Sequence, residues 1–119
     1  MKLENICNLN YLTETMGGKK NLINEIMEVF LIQIPEELSC INEAIKQNDF
    51  AGIKKFAHTM KSSVSIMGIT ALTPVLQEME DLGTKEQNIE RIVTLNEKLN
   101  LFCNQAIEEI NTEKVNYIC

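Results

Sequence analysis

His58 is the only histidine in the chain, and the residues around it are of the kinds that handle anions. Lys54, Lys55 and Lys61 lie within four positions of it, and Ser62, Ser63 and Ser65 follow. Residues three and four apart share one face of a helix. On a helix, Lys54, Lys55, Lys61 and Ser62 therefore surround the imidazole, with Ser65 one turn further along. A neutral imidazole nitrogen is a competent nucleophile near pH 7. A phosphoryl group on that nitrogen would gain charge-assisted hydrogen bonds from a lysine one turn away, which is where Lys61 stands. Serine is a mediocre helix former, so this cluster calls for a reason. Small side chains leave room for a large group or a partner's loop to reach His58, and they equally suit close packing against a neighbouring helix.

The stretch Ala51 to Gln77 holds those three lysines and no Asp or Glu, although the whole chain has 17 acidic against 11 basic residues and a net charge of −6. A basic island on an acidic protein reads as a local anion site or as a solvated lysine face. The acidic balance argues against nucleic acid as a partner, because phosphate contacts need clustered Lys and Arg. No apolar run reaches the roughly 18 residues of a membrane helix, so no membrane contact is expected. The start MKLENICNLN lacks a signal-peptide core, which points to a cytoplasmic protein. Cys7, Cys40, Cys103 and Cys119 match no zinc or redox spacing, and one histidine cannot complete the usual Cys/His site. No metal site is expected, and free thiols in a reducing compartment are the simplest account. Cys40 and Cys103 fall in the phase of core fillers.

The elements that position His58 follow from composition and period. The 119 residues are 45% hydrophobic, with six aromatics, five Gly and two Pro, which suits one helical core and disfavours a turn-rich β-fold. Turn residues cluster at Gly17-Gly18, Gln47-Asn48-Asp49 and Gly83-Thr84, with a softer break at Gly68-Ile69-Thr70. Between them apolar residues recur every three or four positions. The first long helix is expected from Lys19 to Lys46, with the stripe Ile23, Ile26, Met27, Phe30, Ile34, Leu38, Ile41, Ile45 and a kink at Pro35. A short helical turn near Tyr11 to Met16 packs across its start. The second helix begins at Asp49, a good N-cap, and carries Ile53, Phe56, Ala57, Met60, Val64 and Met67 up to Gly68. Thr70 caps the third, whose core face is Leu72, Val75, Leu76, Met79 and Leu82, closed by Gly83. The fourth runs from about Lys85 to Asn111 on Ile92, Leu95, Leu99, Phe102, Ala106 and Ile110, with a fraying tail to Cys119. Short connections make this an all-α fold, an antiparallel up-and-down four-helix bundle with a short extra N-terminal helix. It is read as a single domain over residues 1–119, with the bundle core at about 19–111.

In that bundle His58 lies at the edge of the core stripe and points outward. If two antiparallel helices turn near Ile69, positions equally far from the turn face each other, and His58 faces Glu80. A carboxylate there can accept from Nδ1–H and leave Nε2 free. A solvated helix charge is the plainer reading of Glu80, and Gln77 and Asp81 are its substitutes if the register slips.

Ala57-His58-Thr59-Met60-Lys61-Ser62-Ser63, followed by Ile66-Met67-Gly68, resembles the signature of the histidine-containing phosphotransfer (HPt) domain family, roughly A-H-x-L-K-G-S-x-x-x-x-G. Met60 replaces the usual Leu, a swap between similar volumes. Ser62 stands where Gly is usual. Lys61 and Gly68 keep the family's offsets from His58, and the resemblance spans about Leu9 to Ile110. It implies a phosphocarrier without enzymatic activity of its own. His58 would take a phosphoryl group from a receiver-domain aspartate and pass it to another, in a two-component phosphorelay. Lys61 would neutralise the phosphate, with Lys54, Glu80 and Gln77 as accessory residues. Ser62, Ser63, Ser65 and Gly68 would keep the docking face open. The partners implied are response-regulator receiver domains and a hybrid sensor histidine kinase. No cofactor is expected on this chain; the Mg²⁺ belongs to the receiver. The absence of G-x-x-x-x-G-K-[ST] and of a Gly-rich ATP loop agrees. A monomer is the expected state.

Other classes remain open at this level. A helical adaptor domain would keep the docking face without phosphate on His58. A di-iron bundle needs several inward Glu and paired Glu-x-x-His motifs, which this chain lacks. An acid–base enzyme using His58 and Glu80 lacks an evident substrate pocket.

Overall fold

Asp49 begins the helix that carries His58. Its carboxylate accepts from the Gly52 amide at 3.0 Å, satisfying a donor that a helix start leaves unpaired. Asn8 and Asn88 cap two other helices in the same way, accepting from the amides of Tyr11 and Arg91. A computed structural model of the chain describes residues 7–114. These residues form α1 (Leu9–Thr15), α2 (Lys20–Lys46), α3 (Phe50–Ile66), α4 (Thr73–Lys85) and α5 (Ile89–Glu113), and no strand is present among them. The expected tail beyond Lys114, including Cys119, lies outside the described residues.

The four long helices close a ring. α2 packs on α3, α3 on α4, α4 on α5, and α5 returns to α2, with α3 and α4 in the most extensive contact. The core between them comprises the expected stripes with local exchanges. On α2, Ile23, Met27, Phe30, Ile34, Leu38 and Ile41 are buried, but Ala44 takes the last place and Ile45 is only half-buried. On α5, Cys103 is buried as expected of a core filler, whereas Phe102 of the expected stripe and Cys40 on α2 are not fully buried. Phe102, Phe56 and Cys40 sit at the rim, half-buried. An i, i+3, i+4 pattern leaves two candidates per turn, and the smaller side chain goes inward where helices approach closely. α2 continues through the exposed Pro35 as a single helix, despite the backbone bond and the steric clash that an interior proline costs.

Three expected boundaries shift. Thr70 does not cap α4: Thr70–Leu72 form a 3₁₀ turn, and α4 starts at Thr73 with Pro74 in its first turn. Gly83 does not close α4. It is buried inside the helix, where an added Cβ would lie 3.0 Å from the Lys54 amide nitrogen and 3.1 Å from the Phe50 carbonyl oxygen. The glycine is there because α3 and α4 touch backbone to backbone. α4 instead ends at Lys85, with Glu86 in the left-handed region, and α5 begins after Asn88 and not at Lys85. The short helix expected near Tyr11 to Met16 is α1 at Leu9–Thr15. No described helix is long and apolar enough to cross a membrane.

Candidate functional site

α3 has Ile53, Ala57, Met60 and Val64 buried. His58 follows Ala57 by one position, which turns it about 100° out of the core. Its side chain is 71% exposed, on the surface that α3 shares with α4. The backbone contact at Gly83 lets side chains meet across that surface.

His58 Nδ1 lies 3.0 Å from Glu80 Oε1, the position opposite it in the hairpin. The same carboxylate oxygen lies 2.9 Å from Lys61 Nζ. Lys61 also donates to Gln77 Oε1 at 2.9 Å, and Gln77 donates onward to Asp81 Oδ1 at 3.0 Å. Glu80 is thus the hub of a network that runs from the imidazole to the lysine and along α4. The bond from Lys61, and then that from His58, holds the Glu80 carboxyl below the usual carboxylate range, against partial burial that raises it. An ionised Glu80 is an acceptor only and needs a donor, so Nδ1 carries a hydrogen in this arrangement. In the neutral ring that tautomer leaves the lone pair on Nε2, which faces away from Glu80.

On the other side of His58 is a cavity of about 520 Å³ between α2 and α3. It is lined by His58, Lys55, Thr59 and Ser62 from α3 and by Gln33, Glu36 and Glu37 from α2, among others. A second, more apolar hollow of about 360 Å³ adjoins it through Gln33, Ser62 and Ser63, and is walled by Ile26, Val29, Phe30 and Ile66. Ser63 donates to Glu37 Oε1 at 3.1 Å and so braces α3 on α2. Burial pushes the Glu37 carboxyl up, partly offset by that hydrogen bond.

The structure brings His58, Lys61, Glu80 and Gln77 together and places Ser62 on the cavity side of His58. Ser65 is exposed on α3. Lys54 is exposed where its backbone meets Gly83, and no hydrogen bond or ion pair joins it to the network. Gly68 lies away from the site. It is buried at positive φ, and an added Cβ would stand 2.5 Å from Asn8 Cβ, so the glycine ends α3 and lets the N-terminal segment cross. Lys55, expected beside the imidazole, lines the cavity with it, and Gln33, Glu36 and Glu37 are cavity residues on α2 that the reading of α3 alone does not assign. The signal for the α2 residues was the exposed polar phase of α2 opposite Ser62, which sequence spacing cannot align with α3. Among the described residues no group of three or more His, Cys, Asp or Glu could hold a metal ion. Cys7, Cys40 and Cys103 are free thiols, and burial pushes that of Cys103 up to about 12.

Neither the curated proteins nor the solved structures compared with this chain contain a significant match. The sequence pattern of the Hpt domain does match, over residues 25–112. The matched stretch runs from the second turn of α2 to the last turn of α5, holds the whole network around Glu80, and leaves α1 outside. The chain belongs to the Hpt domain family, whose members carry phosphoryl groups in histidine–aspartate phosphorelays.

Proposed function

We propose that this chain is a phosphorelay intermediate that carries a phosphoryl group on Nε2 of His58 between receiver-domain aspartates. One observation carries the reading: the imidazole is mostly exposed while its Nδ1 is held by an ionised carboxylate. The Nε2 lone pair attacks the phosphorus of an aspartyl phosphate. The N–P bond forms as the P–O bond to the aspartate breaks, and the aspartate leaves as a carboxylate. The ring keeps its Nδ1 proton and becomes cationic, and Glu80 faces that charge. The return step reverses the same bonds.

Lys61 neutralises Glu80 in the resting chain and is one turn from His58, within reach of a bound phosphate. Gln77 holds the lysine between these roles, and Lys54 adds positive potential from the rim. Ser62, Ser63 and Ser65 keep the approach to the ring low. The partners are response-regulator receiver domains and a hybrid sensor histidine kinase, with the Mg²⁺ on the receiver and no cofactor here. The chain itself is a carrier and not an enzyme, and works as a single-domain monomer in the cytoplasm. An antiparallel up-and-down order of α2 to α5 is supported by the cross-helix contacts: from His58–Glu80 to Lys61–Gln77, α3 advances by three residues while α4 retreats by three.

The test is phosphotransfer. A receiver domain phosphorylated with acetyl phosphate and Mg²⁺ is mixed with the chain. Acid-labile, base-stable label on this chain is the expected result; label that stays on the receiver, with none transferred, overturns the proposal.

A further inference from the structure

The hydroxyls of helical Ser and Thr usually fold back onto the carbonyl four residues earlier. Thr13, Thr15, Thr59, Thr84, Thr94 and Thr112 all do so here. Ser63 bonds Glu37 instead. Ser62, like the helical Ser39 and Ser65, is exposed and its hydroxyl has no hydrogen-bond partner among the described residues; Ser62 is the one of the three that shares a cavity with His58.

The position of that hydroxyl relative to the imidazole is specific. Lys61 and Glu80 occupy the Nδ1 side of the ring. Ser62 and His58 line one cavity on the α2 side, and they stand one helical turn apart on the same face. Nε2 faces away from Glu80, and the exposed ring borders that cavity. A phosphoryl group on Nε2 therefore has its lysine on one flank and Ser62 on the other. At Ser62 a glycine would leave the second flank to water.

We infer that Ser62 Oγ donates a hydrogen bond to a phosphoryl oxygen of phosphorylated His58 and so holds more of the phosphoryl group on this chain at equilibrium. The inference rests on the phosphorelay reading above. The bond exists only in the phosphorylated form, so it shifts the equilibrium between phosphohistidine and the receiver's phosphoaspartate. A hydrogen bond to a charged oxygen on an exposed surface corresponds to roughly a three- to tenfold change.

The equilibrium ratio is the right readout, because it does not depend on how tightly the partners dock or how fast they exchange. The chain and a receiver domain are equilibrated with Mg²⁺ after phosphorylation by acetyl phosphate and removal of the donor, and the label on each is measured. Ser62→Ala and Ser62→Gly should both shift label toward the receiver by roughly three- to tenfold. Circular dichroism on each variant confirms an unchanged helical fold. Equal ratios for wild type, Ser62→Ala and Ser62→Gly would overturn the inference while leaving the phosphorelay reading intact. Wild type that takes no label at all overturns the phosphorelay reading itself.

Discussion

Two polar networks tie helices together in this bundle, and they differ in charge and exposure. Between α3 and α4 the members are His58, Lys61, Gln77 and Glu80, ionised at Lys61 and Glu80 and open to solvent at the imidazole. Between α2 and α5 they are three half-buried amides. Asn96 and Asn100 donate to Asn42 Oδ1 at 2.6 and 3.1 Å, and Asn42 donates to Asn100 Oδ1 at 3.2 Å. Neutral amides cost less to desolvate than ions and still demand a fixed geometry, so they suit setting the register of two helices. Charges at the surface contribute little to stability, so an ionised network there is a poor clamp and a good electrostatic environment. The contrast separates a network suited to fixing helix register from one that leaves an imidazole open to solvent.

Substitutions can break that separation. The largest effect is expected from His58→Gln. It should abolish phosphoryl acceptance and leave the melting temperature near wild type, because the side chain is exposed. Label retained by the variant would remove His58 from the site, and a large drop in melting temperature would make it structural. Glu80→Ala comes next. It frees Nδ1 and removes the charge facing the cationic ring, which should slow transfer on the order of tenfold or more, while Glu80→Gln keeps an acceptor and should recover part of the loss. Stopped transfer kinetics on both variants decide it, and equal rates for Ala and wild type would contradict the role given to Glu80.

The amide cluster should respond the opposite way. Asn42→Ala leaves Asn96 and Asn100 short of an acceptor and should cost about 1–3 kcal/mol in urea unfolding, with transfer by the folded protein unchanged. Slower transfer without loss of stability would erase the distinction between the two networks. The smallest effect concerns Glu37, which braces Ser63. Burial pushes its carboxyl up, so the folded chain binds that proton more readily than the unfolded chain does. Its contribution to stability is present below the ordinary carboxylate pKa and is lost as pH rises through the raised value. Glu37→Gln should therefore melt slightly higher than wild type at neutral pH, and the difference should vanish in acid. A neutral-pH melting point below wild type would contradict this.

Much of this arrangement was legible in the sequence. Hydrophobic period placed the four long helices because each buries one stripe, and Asp49 marked the start of α3 because its carboxylate satisfies an orphan amide. The pairing of His58 with Glu80 followed from counting outward from the turn. Other features were ambiguous for physical reasons. A glycine allows both a helix end and a close backbone approach, and Gly83 is the second. Lys85, Glu86 and Gln87 are all good helix formers, so the left-handed Glu86 that stops α4 left no mark in residue type. Lys61 read as a free cation for phosphate, since spacing along α3 cannot show that a carboxylate on α4 already binds it. The Asn42 cluster has no counterpart in the sequence reading, because amides more than fifty residues apart carry no local signal.

The central claim is that Nε2 of His58, and not Nδ1, accepts the phosphoryl group while Glu80 keeps the Nδ1 proton. Long-range ¹H–¹⁵N correlation of the imidazole, with ³¹P coupling recorded after transfer from a phosphorylated receiver, tests it directly. The expected result is phosphorus coupled to Nε2 with the proton retained on Nδ1. Phosphorus on Nδ1, or an imidazole unchanged while the chain carries label, would contradict the account.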